Sequence, residues 1–426
     1  MTGKQRVLSA PFFLDDFKHI DEAVRIQEML DAPALSEGQR TEAANKARAI
    51  IVRARRGERK KGMIETFLEE FGLSNAEGLA LMCLAEALLR VPDAETRDKL
   101  IAEKIRSGKW EDHRGQSDSL LVNASTWGLM LTGKIVRPPA DAENDPSGFM
   151  ARMVREAGEP VIRASMMQAM RIMGEQFVLG RTINEAVKRG ERMIRKDEAA
   201  NFSFDMLGEG ARTYSDAERY FKAYEAALAD VGAAASGKAP EVENGVSVKL
   251  SALHPSYHAL QSERVHAELY PKLLSLCEQA KSSGVNLCVD AEEADRLVLS
   301  LGLFERLARE PRLGGWDGLG LALQAYQKRS EKVADWLVDL SSATNRRFMV
   351  RLVKGAYWDS EIKHAQVEGA PHFPVFTTKQ ATDVSYLTCA KTLLSAKGKI
   401  FPQFATHNAN SLAAIEILAK EAGAEA

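Results

Sequence analysis

Several charged side chains stand at the ends of short apolar runs in the second half of the chain, where they could form a reactive site. Asp205, Lys249 and Asp290 each end such a run. A lysine in this position can pair with the carboxylate of a substrate, or it can form a structural salt bridge with one of the two aspartates. The residues themselves leave both roles open.

Asp290 is followed closely by two further carboxylates in the segment Asp290-Ala-Glu-Glu293. Buried like charges repel strongly, so some of the three must be paired or exposed. The position of Asp290 at the end of an apolar run favours a functional role. Glu292 or Glu293 could instead cap the next helix, because the helix dipole favours a negative charge at its N-terminus.

The densest cluster of such residues is the segment from Arg351 to Trp358. Arg351 and Lys354 are cations, and Gly355 lets a ligand approach the backbone closely. Tyr357 and Trp358 add flat surfaces that can stack on a ring. Together these features suit a large, planar, anionic cofactor. Neighbouring loops add further hydrogen-bond donors: Gln324, Thr377, Lys379, Thr406, His407 and Asn408.

The elements that must position these residues are predicted to be parallel strands separated by helices. Six apolar runs alternate with roughly 25–45 residues of helical patterning, as strand-helix-strand units require. The strands of a parallel α/β barrel carry their chemistry at their carboxyl ends, so the polar residues would meet at one mouth. A (β/α)8, or TIM-like, barrel has eight strands, and six are predicted here. The six runs are Phe202–Asp205, Val246–Lys249, Leu287–Asp290, Leu319–Gln324, Phe348–Lys354 and Phe404–His407.

The composition is that of a globular protein and excludes several classes of function. The chain has 426 residues, of which 45% are hydrophobic and 27% charged, and its formal net charge is -2. This charge gives no overall attraction to nucleic acid or to anionic lipid. The chain has no apolar segment of membrane-spanning length, no paired cysteine spacing and no phosphate-binding loop. His254 and His258 have the spacing of metal ligands on a helix, but Pro255 breaks that geometry, so we expect no metal site.

The first half of the chain is predicted to be almost wholly helical. Apolar residues recur at spacings of three and four, as in Met63, Phe67 and Phe71. No alternating, strand-like run of useful length occurs before about residue 195. The strand-and-helix pattern therefore belongs to the second half alone.

The reactive residues lie in longer segments that resemble the proline dehydrogenase part of the bacterial proline utilization A proteins. The matching segments run in the same order over nearly the whole chain, including the helical half. They include Val122–Gly128, Gly158–Arg163, Met173–Phe177, Phe204–Glu209, Val248–Ala252, Asp290–Glu293, Gln324–Arg329, Arg351–Glu361, Thr382–Tyr386 and Pro402–Asn408.

The resemblance implies an FAD-dependent barrel that follows a helical arm and a helical domain. We place the arm at residues 1–45, the helical domain at 46–195 and the proline dehydrogenase barrel at 196–426. The implied reaction oxidises L-proline to 1-pyrroline-5-carboxylate, the first step of proline catabolism to glutamate. A hydride equivalent passes to flavin N5, and the electrons then leave to membrane quinone.

The resemblance also implies a role for each matched residue. Lys249 binds the proline carboxylate, Tyr357 packs on the substrate ring, and Asp290 orients substrate-side groups beside the flavin. Arg351 donates toward flavin N5, where negative charge develops, and Asp205 supports the carboxylate-binding cations without reacting itself. These five form the expected catalytic set. The residues expected to hold the cofactor are Asp290, Gln324, Arg351, Val353, Lys354, Gly355, Ala356, Trp358, Thr377, Lys379, Thr406, His407 and Asn408.

The chain departs from the family pattern at both ends. Some members begin with a DNA-binding ribbon-helix-helix module, whereas here Met1 leads directly into the arm, so we expect no nucleic-acid partner. The family barrel continues through two more strands and a helix whose arginine pair clamps the proline carboxylate. A pyrroline-5-carboxylate/glutamate semialdehyde dehydrogenase then follows. We therefore expect an N-terminal fragment, truncated before the last two strands, whose partners are L-proline, membrane quinone and the missing C-terminal part.

The resemblance further implies a cytoplasmic homo-oligomer with peripheral contact to the inner membrane. Two alternatives compete with an active enzyme of this family. The first is a catalytically incomplete fragment that binds flavin, or assembles with a partner through exposed sheet edges. The second is another barrel enzyme, such as an aldolase that uses Lys249 as a Schiff-base nucleophile.

Overall fold

The computed structural model describes residues 11–56, 178–206 and 208–424. Residues 1–56 and 182–426 form one compact unit, and residues 57–181 form another. All the strands and helices given below lie in the first unit. Most of the predicted helical domain, residues 46–195, lies outside the described residues. The domain boundaries at residues 45 and 195 therefore stay predictions.

Six parallel strands form a single sheet in which the order along the chain is also the order in space. This arrangement confirms the predicted α/β class and the six strands. Val248 in the second strand lies opposite Val289 in the third, so the residues that follow them, Lys249 and Asp290, leave the sheet side by side. The strands are β1 (Ser203–Asp205), β2 (Gly245–Val248), β3 (Asn286–Val289), β4 (Leu319–Gln324), β5 (Phe348–Val353) and β6 (Ile400–Phe404).

Helices alternate with the strands and cover them. All residues of β2, β3 and β4 are buried, as expected of parallel strands with both faces covered. No helix of the described segments is long and apolar enough to cross a bilayer. The helices are α1 (Glu22–Asp31), α2 (Glu37–Arg56), α3 (Ile183–Arg195), α4 (Tyr214–Ala233), α5 (Ser262–Ser282), α6 (Leu297–Ala308), α7 (Ser330–Thr344), α8 (Trp358–Glu368), α9 (Lys379–Ser395) and α10 (Ala409–Glu421).

The sheet is strongly curved, and a single arginine demonstrates it. β1 and β5 are separated by four strand spacings, which would place them about 19 Å apart in a flat sheet. Arg351 of β5 nevertheless donates to Ser203 Oγ of β1 at 2.6 Å and to Ser247 Oγ of β2 at 2.9 Å. One side chain cannot span a flat sheet of this width. The strands therefore curl around a common interior, which agrees with the predicted barrel-like architecture.

The sixth strand differs from the predicted one. The sequence pattern placed it at Phe404–His407, but the structure has it at Ile400–Phe404, so this boundary was wrong. The true strand contains Pro402, a residue that is unfavourable inside a sheet. It is tolerated here because, within the described sheet, β6 pairs only with β5. Thr406 and His407 consequently lie in the loop that follows the strand.

The N-terminal segment is held against the barrel by polar contacts. Arg329 is fully buried, and its guanidinium forms a salt bridge of 2.7 Å with Asp15. Lys328 Nζ donates to the carbonyl oxygen of Ile20 at 2.6 Å. Both cations come from the loop between β4 and α7. The segment that precedes α1 is thus fixed to the end of the barrel at which the carboxyl ends of the strands lie.

Candidate active site

The ammonium group of Lys249 lies between two carboxylates at the carboxyl ends of β1, β2 and β3. Its Nζ is 2.8 Å from Asp290 Oδ2 and 3.0 Å from Asp205 Oδ2. The sequence suggested a salt bridge with one of the two aspartates, and Lys249 forms one with each. The side chains of Lys249 and Asp290 are 16% and 14% exposed, whereas that of Asp205 is 41% exposed. Burial disfavours the charge on Lys249, but the attraction of the two aspartates outweighs it and raises the lysine pKa.

Local structure fixes the position of Lys249. Its backbone N–H donates to Tyr224 Oη of α4 at 3.2 Å, and a short 3-10 turn over Leu250–Ala252 begins directly after it. Burial raises the pKa of Tyr224, so the phenol stays neutral and accepts this hydrogen bond. Sequence reasoning missed Tyr224.

Arg351 reaches the same mouth from β5. Its Nη1 is 3.7 Å from Asp290 Oδ1, and the hydroxyl groups of Ser203 and Ser247 accept from its two terminal nitrogens. These hydroxyls lie 3.1 Å apart and hold the guanidinium without neutralising its charge. Sequence reasoning missed both serines. The signal that could have found them is a small polar residue inside an otherwise apolar strand.

Tyr357 stands at the N-terminus of α8 and is half-buried. Burial raises the pKa of its phenol, helped by the carboxylates of Glu209 and Glu292 and opposed by the positive charge of Lys249. The phenol is therefore neutral, and its pKa responds to charged groups at the mouth of the barrel, Lys249 among them. Its role beside the substrate stays a prediction.

Gln324 and Val353 connect loops at the same mouth. Gln324 is 3% exposed, its Nε2 donates to the backbone carbonyl of Glu292 at 2.8 Å, and its Oε1 accepts from the N–H of Ala356 at 3.1 Å. The carbonyl oxygen of Val353 accepts from the N–H of Ala325 at 2.8 Å. These groups set the spacing of the loops that follow β3, β4 and β5.

Gly355 has a backbone conformation that only glycine adopts readily, with φ at +143°. A Cβ atom on this residue would lie 2.3 Å from Cγ of Tyr326, whose ring packs against it. The close approach predicted at this position is therefore made, in the structure, to a buried tyrosine ring.

Two lysines form a cationic cluster at the N-termini of α9 and α10. Lys354 Nζ is 2.6 Å from Asp383 Oδ1 and 3.2 Å from Ser411 Oγ, and Lys379 Nζ is 2.5 Å from Asp383 Oδ2. Burial opposes the charge on Asp383, but its bonds to the two lysines outweigh this and lower its pKa. Two cations share one carboxylate, and two helix N-termini add partial positive charge. The cluster therefore carries net positive potential.

Thr377 and Trp358 are engaged in contacts within the protein. The N–H and hydroxyl groups of Thr377 both donate to the carboxylate of Glu22 in α1, each at 3.0 Å. Trp358 Nε1 donates to the carbonyl oxygen of Phe376 at 2.8 Å, and the ring is 42% exposed. Glu22 was not predicted, because it lies more than three hundred residues away in the sequence.

The predicted residues after β6 mainly organise the start of α10. Asn408 Oδ1 accepts from the backbone N–H groups of Asn410 and Ser411, which is the geometry of an N-cap. Thr406 Oγ1 accepts from the N–H of Asn408 at 3.0 Å, and His407 is exposed. Among the residues that the structure describes, no group of three histidine, cysteine, aspartate or glutamate side chains could hold a metal ion.

Comparison with protein families supports the resemblance seen in the sequence. Residues 186–426 match the family described as proline dehydrogenase, and residues 63–177 match one described as the DNA-binding domain of proline dehydrogenase. The second match lies outside the described residues. The absence of a nucleic-acid partner therefore stays a prediction, and the description of this family stands against it.

Individual relatives give the same result. The chain is 52% identical over 360 residues to the bifunctional protein PutA of Klebsiella aerogenes, covering 84% of this chain and 27% of the relative. It is 47% identical to PutA of Rhizobium meliloti, covering 91% of this chain and 31% of the relative. A mutant of Bradyrhizobium japonicum proline utilization A has a similar structure, with a TM-score of 0.68 and 47% identity over 95% of this chain and 40% of that one. The chain thus spans about a third or less of the length of these two PutA relatives.

Proposed function

Because the chain belongs to the proline dehydrogenase family, we propose that it carries the site at which L-proline is oxidised to 1-pyrroline-5-carboxylate. The electrons would pass through FAD to membrane quinone. The observation that carries the proposal is the pair of salt bridges from Lys249 to Asp205 and Asp290 at the mouth of the barrel. Oδ1 of Asp290 also lies 3.7 Å from Nη1 of Arg351. Asp205, Lys249 and Asp290 lie at the carboxyl ends of three strands, and Arg351 reaches them from within a fourth, β5.

Lys249 suits recognition of a substrate carboxylate. Its raised pKa keeps it positively charged at neutral pH, and its position is fixed by Asp290 and by the backbone bond to Tyr224. Two of the three ammonium N–H groups donate to Asp205 and Asp290, which leaves one that can donate to a ligand carboxylate. Tyr357 supplies a neutral ring beside the same charges, where a five-membered substrate ring can pack.

The chemistry of the donor set fits FAD. The net positive cluster of Lys354, Lys379 and Asp383 lies at two helix N-termini, which is a favourable place for phosphate groups. Arg351 would lie at the flavin ring, where its charge, held but not neutralised by serine hydroxyls, can stabilise negative charge at N5. FAD, when bound, would accept the hydride equivalent from the substrate. Gln324, Val353, Gly355 and Ala356 would shape the loops around it.

An aldolase that uses Lys249 as a nucleophile is disfavoured by the same geometry. A lysine that forms a Schiff base must lose its proton, which requires a lowered pKa. Here the pKa of Lys249 is raised, because two aspartates lie within 3.0 Å of its ammonium group. The alternative that remains is a flavin-binding fragment without turnover.

The partners of the whole protein follow as proposals from the same family. We propose that this chain works with a C-terminal part that contains a pyrroline-5-carboxylate/glutamate semialdehyde dehydrogenase. A cytoplasmic homo-oligomer with peripheral contact to the inner membrane would bring the flavin to membrane quinone.

Anaerobic flavin reduction tests the proposal. The purified chain, loaded with FAD, should lose its flavin absorbance when L-proline is added. A bound flavin that stays oxidised would refute catalysis by this chain and leave the flavin-binding fragment. Flavin that does not bind at all would refute both.

Two variants test the roles of individual residues. Lys249→Ala should weaken binding of an unreactive carboxylate analogue by at least about tenfold and should retain flavin, since it removes a charge-assisted bond. Lys222→Ala, which removes an exposed lysine of α4, is the matched control. Arg351→Met should slow flavin reduction far more than it weakens substrate binding. Equal losses in both quantities would show a merely structural role for Arg351.

A further inference from the structure

The loops after β2 and β3 are joined by two parallel cross-links. β2 and β3 end side by side at Val248 and Val289; Lys249 and Asp290 follow directly, and Ser251 and Glu292 come two residues after them. The first cross-link is the 2.8 Å salt bridge between Lys249 and Asp290. In the second, the N–H of Ser251 donates to Glu292 Oε1 at 3.0 Å. Ser251 is 3% exposed, so this second cross-link is shielded from water.

Ser251 also binds the loop that follows β1. Its Oγ accepts from the N–H of Gly210 at 3.1 Å, and its carbonyl oxygen accepts from the N–H of Ala211 at 2.9 Å. β1 ends at Asp205, the other carboxylate partner of Lys249. One serine therefore connects the loops that carry all three members of the Lys249 salt-bridge cluster.

Glu292 is a rigid anchor for this serine. Its Oε2 accepts from Arg296 Nη1 at 2.8 Å, and its backbone carbonyl accepts from Gln324 Nε2 at 2.8 Å. The side chain of Glu292 is only 4% exposed. Because Glu292 is bonded on three sides, it cannot follow Ser251 if the serine moves. Ser251 is thus tied to a fixed point of the barrel mouth.

We propose that Ser251 is a positioning residue that sets the distance of Lys249 from Asp205 and Asp290. In this way it sets the affinity of Lys249 for a substrate carboxylate. The inference rests on the proposed function, because it assigns the carboxylate to Lys249. The loss of the Ser251 hydroxyl removes one of the two hydrogen bonds that hold the loop after β1 to Ser251, the one from the N–H of Gly210, and leaves the bond from Ala211. Asp205, at the start of this loop, is then held less firmly against the ammonium group of Lys249, although the backbone bond from Lys249 to Tyr224 remains.

Three variants separate positioning from stability. Ser251→Ala removes the hydroxyl, and Ser251→Thr keeps it. Ser341→Ala is the matched control, because Ser341 is equally buried and its hydroxyl lies 2.6 and 3.1 Å from two backbone carbonyl oxygens near the end of α7, away from the mouth. Both alanine variants should lower Tm to a similar extent.

Binding of tetrahydrofuran-2-carboxylate to the FAD-loaded chain is the first readout. Ser251→Ala should raise its Kd about five- to tenfold, the effect of one hydrogen bond, and leave flavin affinity unchanged. Ser251→Thr should restore the affinity, and Ser341→Ala should not change it. An unchanged Kd in Ser251→Ala, or an equal rise in Ser341→Ala, would overturn the proposal.

Amide hydrogen exchange is the second readout, and it needs no ligand. Ser251→Ala should accelerate exchange at Gly210 and at Lys249 by at least about fivefold, whereas Ser341→Ala should leave both rates as in the wild type. Unchanged exchange at these amides would refute the positioning role. If the wild-type chain does not bind the carboxylate, the proposed function fails, and the exchange rates alone decide whether Ser251 holds the loops.

Discussion

Gly355→Ala should destabilise the barrel strongly, because two independent costs add at this position. The residue has φ at +143°, a conformation that costs an alanine about 1–3 kcal/mol. The added Cβ would also lie 2.3 Å from Cγ and 2.5 Å from both Cδ atoms of Tyr326. That ring is only 2% exposed, so it cannot swing into solvent, and overpacking of this kind costs about 1–3 kcal/mol. The free energy of unfolding should fall by about 2–6 kcal/mol.

Urea denaturation, followed by circular dichroism, measures this loss. Gly369→Ala is the control, because Gly369 also has a positive φ of +64° but no atom lies within 4 Å of its added Cβ. It should therefore lose only the conformational cost of about 1–2 kcal/mol. Equal losses in the two variants would show that the Tyr326 contact contributes nothing.

The same substitution should also weaken flavin binding. Gly355 directly precedes Ala356, whose N–H donates to Gln324 Oε1 at 3.1 Å. A shift of the backbone to relieve the clash would lengthen this bond and move the loop after β5. Flavin affinity of the folded Gly355→Ala variant should fall at least several-fold relative to Gly369→Ala. If flavin affinity stays at the wild-type value, the loop after β5 does not contribute to the cofactor site.

Three further predictions concern other parts of the same unit. Hydrogen bonds from Arg264, His254 and Tyr214 lower the pKa of Glu268 to about 2. The charged carboxylate therefore stabilises the folded state at pH values above its ordinary pKa, and this stabilisation is lost as the pH falls through about 2. Glu268→Gln should therefore lower Tm far more at pH 7 than at pH 2, and an equal deficit at both would contradict this. Glu22→Ala should lower the flavin Kd several-fold, measured by fluorescence titration, because the carboxylate of Glu22 occupies the donors of Thr377. A higher flavin Kd would mean that Glu22 instead stabilises the flavin-binding site. Arg346→Ala should cost about 2–4 kcal/mol in urea, since its guanidinium donates to four backbone carbonyls. A loss below 1 kcal/mol would contradict this.

Local patterns in the sequence were sufficient to predict much of the fold. Strand and helix periodicity depend on neighbouring residues, so the order of the elements and five of the six strand positions could be read directly. The pairing of Lys249 with Asp290 was also accessible, because parallel strands of a barrel bring their carboxyl ends together. The sixth strand was misplaced, since the proline at position 402 masks the strand pattern.

Contacts between distant parts of the chain were decided only by the tertiary structure. Arg351 bonds to Ser203 because the sheet curves, and no local pattern specifies how far it curves. Glu22 reaches Thr377, and Ser251 reaches Glu292, because packing brings together residues that are far apart in the sequence. Strand pattern and charge thus determine which side chains arrive at the mouth of the barrel. Curvature and packing determine which of them touch.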